Sequence, residues 1–214
     1  GALGIVSAGA AGNLSPKAER LIDIAQRNSE RLIALVNDLL DVDKLHSGRM
    51  EFNLEEFDLA ELVRLSVEQN LPYAERGGIE LKTDLSEQPA NVLADRHRLL
   101  QVLANLISNA VKFSPAGDIV TIKLRINQEQ ARLSVIDHGA GIPEAFRDRL
   151  FRRFSQYDSS SSRVQQGTGL GLAICKSIID QLGGAIWLDT EVPSGSTFHV
   201  ELPLASHALQ RGVE

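Results

Sequence analysis

The 214 residues carry 22 Lys and Arg against 28 Asp and Glu, a formal charge of −6, and 43% of them are hydrophobic while 23% are charged. That balance is ordinary globular usage and excludes collagen-like, low-complexity and wholly disordered chains, and its mild acidity argues against a surface built to coat nucleic acid. The one cysteine, Cys175, has no partner for an internal disulfide, and the longest apolar runs fall short of the roughly 20 residues that span a bilayer. A soluble, cytoplasmic unit of one or two domains is expected. The opening GALGIVSAGAAG has neither a methionine nor the charged n-region of a signal peptide, so the chain is expected to be a piece of a longer protein, whose membrane anchoring is left open.

Ser15 followed by Pro16 reads as a helix start: the hydroxyl accepts from an orphan amide, and proline needs no amide hydrogen in the first turn. From there Ala18, Ala25, Leu32 and Leu39 recur every seven residues, interleaved with Leu21, Asn28, Leu35 and Val42, which is a heptad seam. It runs to about Leu45, where His46, Ser47 and Gly48 signal a left-handed helix ending. The small and apolar residues of Gly1 to Val6 read as the tail of a preceding antiparallel helix, so residues 1–48 form part of a helical hairpin. By periodicity alone the seam either completes a bundle with a second chain or lies on the domain that follows.

Composition changes after Arg49, where a boundary is expected. Asp58 caps a helix ending at Gly77 and Gly78; IELKTDL and NVLA read as strands; Asp95 precedes a helix from Arg96 to Phe113. DIVTIKLRIN and ARLSVID read as a hairpin, PEAFRDRLFRRF as a short helix or turn, Leu170 to Leu182 as a helix, and AIWLDT and STFHVELP as two strands around a VPSG turn. The domain is expected to span 49–205, with a frayed tail over 206–214. Strands paired largely as hairpins, with helices on one sheet face, define an α+β two-layer sandwich.

Three segments of this domain are candidates for chemistry. On the Arg96–Phe113 helix, with Asn105 at zero, Asn109 lies at about 40° and Lys112 at about −20°, while Leu99, Leu103, Leu106 and Ala110 fall on the far side. Two amides and an ammonium in one stripe offer an oxygen to a hard cation and donors to phosphates, although a stripe alone is equally a solvated face. Asp137, Gly139, Gly141 and Ile142 put a carboxylate and close-approach backbone at a strand end, where the carboxylate can accept from an exocyclic amine; a tight turn is the plain alternative. Gly167, Thr168, Gly169, Leu170 and Gly171 lead straight into a helix, whose amides and dipole favour phosphate. No lysine follows, so this is not a Walker loop, and a flexible linker is its plain alternative.

Taken together and in order, NLISNAVKF, DHGAGI, LFRRF and GTGLGL resemble the asparagine, first glycine, phenylalanine and second glycine boxes of sensor histidine kinases. The resemblance covers Arg49 to about Leu204, that family's ATP-binding (Bergerat-type) domain, and the Ser15–Leu45 seam is similar to the second helix of its dimerisation and phosphoacceptor hairpin. It implies ATP and Mg²⁺ as cofactors, with Asn105 as the metal ligand and Asn109 and Lys112 as phosphate contacts. Phe113 would border adenine, Asp137 accept its amine, and Gly139, Gly141 and Ile142 make room for the base. Gly167, Thr168, Gly169, Leu170 and Gly171 would shape the phosphate end, and Ser155 to Gln166 would be the ATP lid, with Arg163 a mobile phosphate contact. The family also implies a homodimer through the hairpin, an upstream sensor domain and a response-regulator receiver domain, but no nucleic acid.

Phe151 and Phe154, three apart, are ordinarily core residues, and in the family they hinge the lid. The family's phosphoacceptor motif of histidine, glutamate and arginine does not occur; His46, His97, His138, His199 and His207 are expected in surface or core roles, and Cys175 as a small core residue. Two other readings stay open: an ATP-driven clamp like the related chaperone and gyrase ATPases, and a non-catalytic nucleotide-binding or dimerisation module.

Overall fold

A computed structural model describes residues 12, 14–47, 49–127, 129–156, 168–189 and 194–206. The Gly1–Val6 segment, most of the expected lid with its Arg163, Gly167 of the second glycine segment, and residues 207–214 lie outside them. The chain divides into two units, Gly1–Arg49 and Met50–Glu214.

In the first unit Ser15 caps helix α1 (Pro16–His46), its side chain accepting from the Ala18 amide at 3.3 Å. Ser47 closes the last turn, its hydroxyl donating to the Asp43 carbonyl at 2.8 Å; Gly48, where the left-handed ending is expected, is outside the described residues. The seam leucines Leu21, Leu32 and Leu39 are 55–63% exposed, and Ile24, Ile33, Val36 and Leu40 add further apolar surface around them. Within this unit the helix therefore presents an apolar face wider than a two-residue seam.

The second unit is built on a five-stranded sheet in the order β2 (Glu80–Asp84), β4 (Ile119–Ile126), β5 (Gln130–Asp137), β7 (Ser196–Pro203), β6 (Ala185–Asp189). β4–β5, β5–β7 and β6–β7 are antiparallel, but β2 runs parallel to β4. The expected β4–β5 hairpin forms, and β2 can run parallel to β4 because β3 (Asn91–Ala94) and helix α3 (Arg96–Phe113) stand between them in the chain and return it. β1 (Glu55–Asp58) and β3 form a separate antiparallel pair.

Alternation along the strands decides which face is covered. Val120, Ile122 and Leu124 of β4, Leu133 and Val135 of β5, and Phe198, Val200 and Leu202 of β7 are all 5% exposed or less. α3 lies on β4 and β5, flanked by α2 (Leu59–Arg76) on β2 and α5 (Gly171–Gln181) on β6. α3 is central, packing on both α2 and α5, and its Leu99, Leu103, Leu106, Ile107 and Ala110 are at most 4% exposed. Between Leu59, Leu99, Leu103, Leu133 and Val200 the layers leave a gap of only about 10 Å³, too little to reward a water with polar partners.

Two aspartates pin the helices. Asp58 Oδ1 accepts from the amides of Ala60, inside α2, and Ala90, before β3, both at 3.0 Å. Asp95 uses one oxygen as the α3 cap, from the Arg98 amide at 2.9 Å, and the other for the Asn53 amide at 2.9 Å. Asp95→Ala removes a cap and strands a second amide, so denaturant unfolding should show a loss near the top of the usual capping range, about 2 kcal/mol.

The other sheet face is polar. His199 lies across it with Nδ1 2.8 Å from Ser134 Oγ, its ring 5.1 Å from that of Trp187 and Nε2 3.7 Å from Asp189 Oδ2. Arg132 lies over Trp187 and pairs with Glu201 at 2.6 Å. Burial, then the nearby Arg132 charge, holds His199 below its ordinary pKa, against the pull of Asp189. The folded state thus binds fewer protons than the unfolded one between the two values. Stability should fall as pH drops from about 6.5 towards the folded value, and His199→Gln should flatten that limb in pH-dependent thermal unfolding.

Candidate active site

The asparagine stripe occupies the polar side of α3. Asn105 and Asn109 are half-buried, and the Asn109 Nδ2 donates to Asn105 Oδ1 at 3.0 Å. That bond orients the Asn105 amide with one lone pair on Oδ1 still available. Lys112 Nζ sits 4.9 Å from the centroid of the Phe113 ring, which is 62% exposed.

Each glycine segment meets this helix where a side chain has no room. A β-carbon on Gly139 would fall 2.3 Å from the Phe113 carbonyl oxygen, and one on Gly171 would fall 2.0 Å from Asn105 Nδ2. The contacts are eight residues apart on α3, about 12 Å at 1.5 Å per residue. One end of the site is therefore a carboxylate loop and the other the first turn of α5, with the stripe between them.

At the loop end, Asp137 closes β5 and is 5% exposed. Its Oδ1 accepts from the Gly139 amide at 2.9 Å and the Ser196 amide at 3.1 Å. Burial still wins over these hydrogen bonds and over His138, and lifts the carboxyl above its ordinary pKa. Gly141 has φ +73 and Ile142 is half-buried beside it. A cleft of about 250 Å³ is lined by Gly141, Ile142, Glu144, Arg147, Leu188 and Asp189, but it includes no residue of the asparagine stripe.

At the helix end, Thr168 Oγ1 accepts from the Leu170 amide at 3.1 Å, Leu170 is 1% exposed, and Gly171 opens α5. Gly169, at φ +70, packs on the Phe154 backbone, closer than a β-carbon allows. Phe154 corrects the core expectation: it is 67% exposed and has φ +58, a left-handed conformation rare for a bulky residue. The helix ends at Arg147 (α4, Glu144–Arg147), so three-residue spacing no longer puts the two phenylalanines on one face. Phe151 instead meets Phe198 edge-on, with centroids 6.5 Å apart.

Among the described residues no cluster of three histidines, cysteines or carboxylates could hold a metal ion. A hard cation at Asn105 would share one amide oxygen with phosphates and waters, which suits Mg²⁺. Ser196 and Gly195 were not readable as site residues: VPSG is a local turn signal, and nothing in it points to Asp137, 59 positions away.

The model of the histidine kinase-, DNA gyrase B-, and HSP90-like ATPases matches residues 94–206, which hold the stripe and both glycine segments. The chain belongs to this ATPase family. Relatives within the family include sensor histidine kinases, as the four motifs lead one to expect. Sensor histidine kinase WalK of Bacillus subtilis (strain 168) is 37% identical over 87% of this chain and 31% of its own length. Full-length ShkA, solved with AMPPNP, superposes with a TM-score of 0.77 at 32% identity, over 95% of this chain and 42% of that one. Histidine kinase ThkA, solved with the response regulator protein TrrA, gives 0.69 at 26% identity, over 94% and 56%. The chain thus spans under a third of WalK. No helix among the described residues is long and apolar enough to cross a membrane.

Gly171→Ala tests the junction. Alanine favours a helix over glycine by up to about 1 kcal/mol, so the ATPase domain should keep its stability, while the displaced Asn105 costs roughly tenfold or more in Mg-ATP affinity. Calorimetry returning wild-type affinity would remove Asn105 from the site.

Proposed function

We propose that this chain is the ATP-binding catalytic region of a sensor histidine kinase, which binds Mg-ATP and passes the γ-phosphate to a histidine outside these 214 residues for relay to a response-regulator aspartate. The observation that carries the reading is the spacing of about 12 Å along α3 between the Gly139 and Gly171 contacts, with the Asp137 loop at one end and a helix N-terminus at the other. Asp137 accepts the adenine amine, with Gly139, Gly141, Ile142 and Phe113 around the base. Asn109 and Lys112 meet the phosphates, Gly167, Thr168, Gly169, Leu170 and Gly171 shape the phosphate end, and Arg163 is a further phosphate contact. Asn105 Oδ1 would hold Mg²⁺, which when bound would supply neutralisation of phosphate charge. The side chains themselves position the triphosphate; the chemistry is orientation and charge compensation.

The ShkA and ThkA complexes support the nucleotide and the receiver-domain partner by likeness. The exposed apolar face of α1 supports homodimerisation through the hairpin, and an upstream sensor and a cytoplasmic location complete the reading.

Extending the chain upstream by about 30 residues, one helix at 1.5 Å rise, and following γ-labelled ATP tests it. Base-stable, acid-labile label is expected on the longer chain and none on this one. Nucleotide binding without label overturns the kinase reading, and appreciable steady-state hydrolysis would favour a clamp.

Acid should weaken binding early. A raised Asp137 pKa means that its ionisation is a cost to the fold above that pKa and is relieved as pH falls through it. The amine acceptor is therefore lost above the usual carboxylate value of about 3.9. ATP affinity measured against pH should decline there, and Asp137→Asn should remove that inflection.

A further inference from the structure

Asp137 holds one oxygen by two amides that come from different parts of the chain. Gly139 lies in its own loop, whereas Ser196 opens β7 and is itself 6% exposed. The Ser196 amide reaches the carboxylate because residue 195 has no side chain. A β-carbon there would fall 2.0 Å from the Asp137 carbonyl oxygen and 2.7 Å from His138 Cα. In return, the Gly195 carbonyl oxygen occupies the space of a β-carbon on Gly141, at 2.9 Å. Both glycines have positive φ, +76 and +73, so each is required twice, by conformation and by contact.

We propose that the Gly195–Ser196 segment is a positioning element for the base acceptor, fixing the Asp137 carboxylate so that Oδ2 faces the exocyclic amine. This rests on the reading of Asp137 as that acceptor. A carboxylate has roughly four lone-pair positions. Two amides occupy Oδ1, and the Ser196 hydroxyl is a further donor to the group, which leaves room on Oδ2 for one incoming donor. Rotation of the carboxylate would break both amide bonds, one of them 59 residues away in the chain, so the remaining acceptor has a single direction. An amino group at the purine 6-position donates along it, and an oxo group there opposes it with its own lone pairs. Segment 195–196 thus sets the preference for an amino-purine through the carboxylate it holds.

The test compares the calorimetric affinities of the whole chain for Mg-ATP and for Mg-purine riboside triphosphate, which lacks the amine. Wild type should prefer ATP by roughly tenfold or more, the scale of a hydrogen bond to a charged group. Gly195→Ala should reduce that preference to about twofold or less; the ratio of the two affinities, unlike either affinity alone, does not respond to general destabilisation. Retention of the wild-type preference in Gly195→Ala overturns the positioning role and leaves the acceptor intact. Absence of a preference in wild type overturns the acceptor, and the positioning role with it. Should Gly195→Ala fail to fold, the wild-type amide resonances decide: the Ser196 and Gly139 protons should shift with one midpoint as Asp137 titrates. A Ser196 amide that does not move overturns the proposal.

Discussion

Backbone approaching closer than a β-carbon permits is the constraint on which the site depends. α3 can carry its polar stripe into a cleft only if the chain on either side comes up against it, at the Phe113 carbonyl on one end and the Asn105 amide on the other. Glycine at 139 and 171 makes those approaches sterically possible. Hydrogen bonds then fix orientation within them, from Asn109 to Asn105 and from Gly139 to Asp137. A side chain at either junction would not merely lose a contact; it would move the stripe relative to a glycine segment, and the site is defined by that relation.

Such junctions hold only because the opposite face of α3 is immobile. Its leucines and Ile107 are packed against the sheet and against α2 and α5 with almost no void, and interiors at that density transmit displacement rather than absorb it. Asp95 sets where the helix begins, and by tying Asn53 to the same carboxylate it couples the cap to the chain ahead of β1. Cap, apolar face and polar stripe are therefore successive consequences of one 18-residue segment, with the fold fixing its place and the glycines granting access.

What was legible in the amino-acid order was local. Ser15, Asp58 and Asp95 announce helix starts because capping is a three-residue event, and the stripe follows from 100° per residue. The residues of all three segments were readable from their motifs, because each motif is short and contiguous. The parallel β2–β4 pairing was not, since a strand records its alternation but not its neighbour's direction. Phe154 misled for a related reason: spacing of three implies one face only while the helix lasts, and it ends at Arg147. Gly195 was read as turn chemistry, which is correct for its own backbone and silent about Asp137. Its second role arises from a contact across two strands whose register, Asp137 opposite Ser196, is a property of the sheet.

The same register bears on why a carboxylate can be kept there at all. Burial raises the cost of its charge, and the two amides and the Ser196 hydroxyl offset only part of it. A fold selected for stability alone would place an apolar residue at 137, as it does at Leu133 and Val135 on the same strand face. On the proposed reading the residual cost is what a ligand's donor can recover: an amine arriving at Oδ2 would gain the energy of completing a buried charged hydrogen-bond set, more than the same bond would give in water. Selectivity for the base and the destabilising charge would then be two sides of one interaction, and β7, which ties the carboxylate through the Ser196 amide, would determine how much of that energy the correct ligand receives.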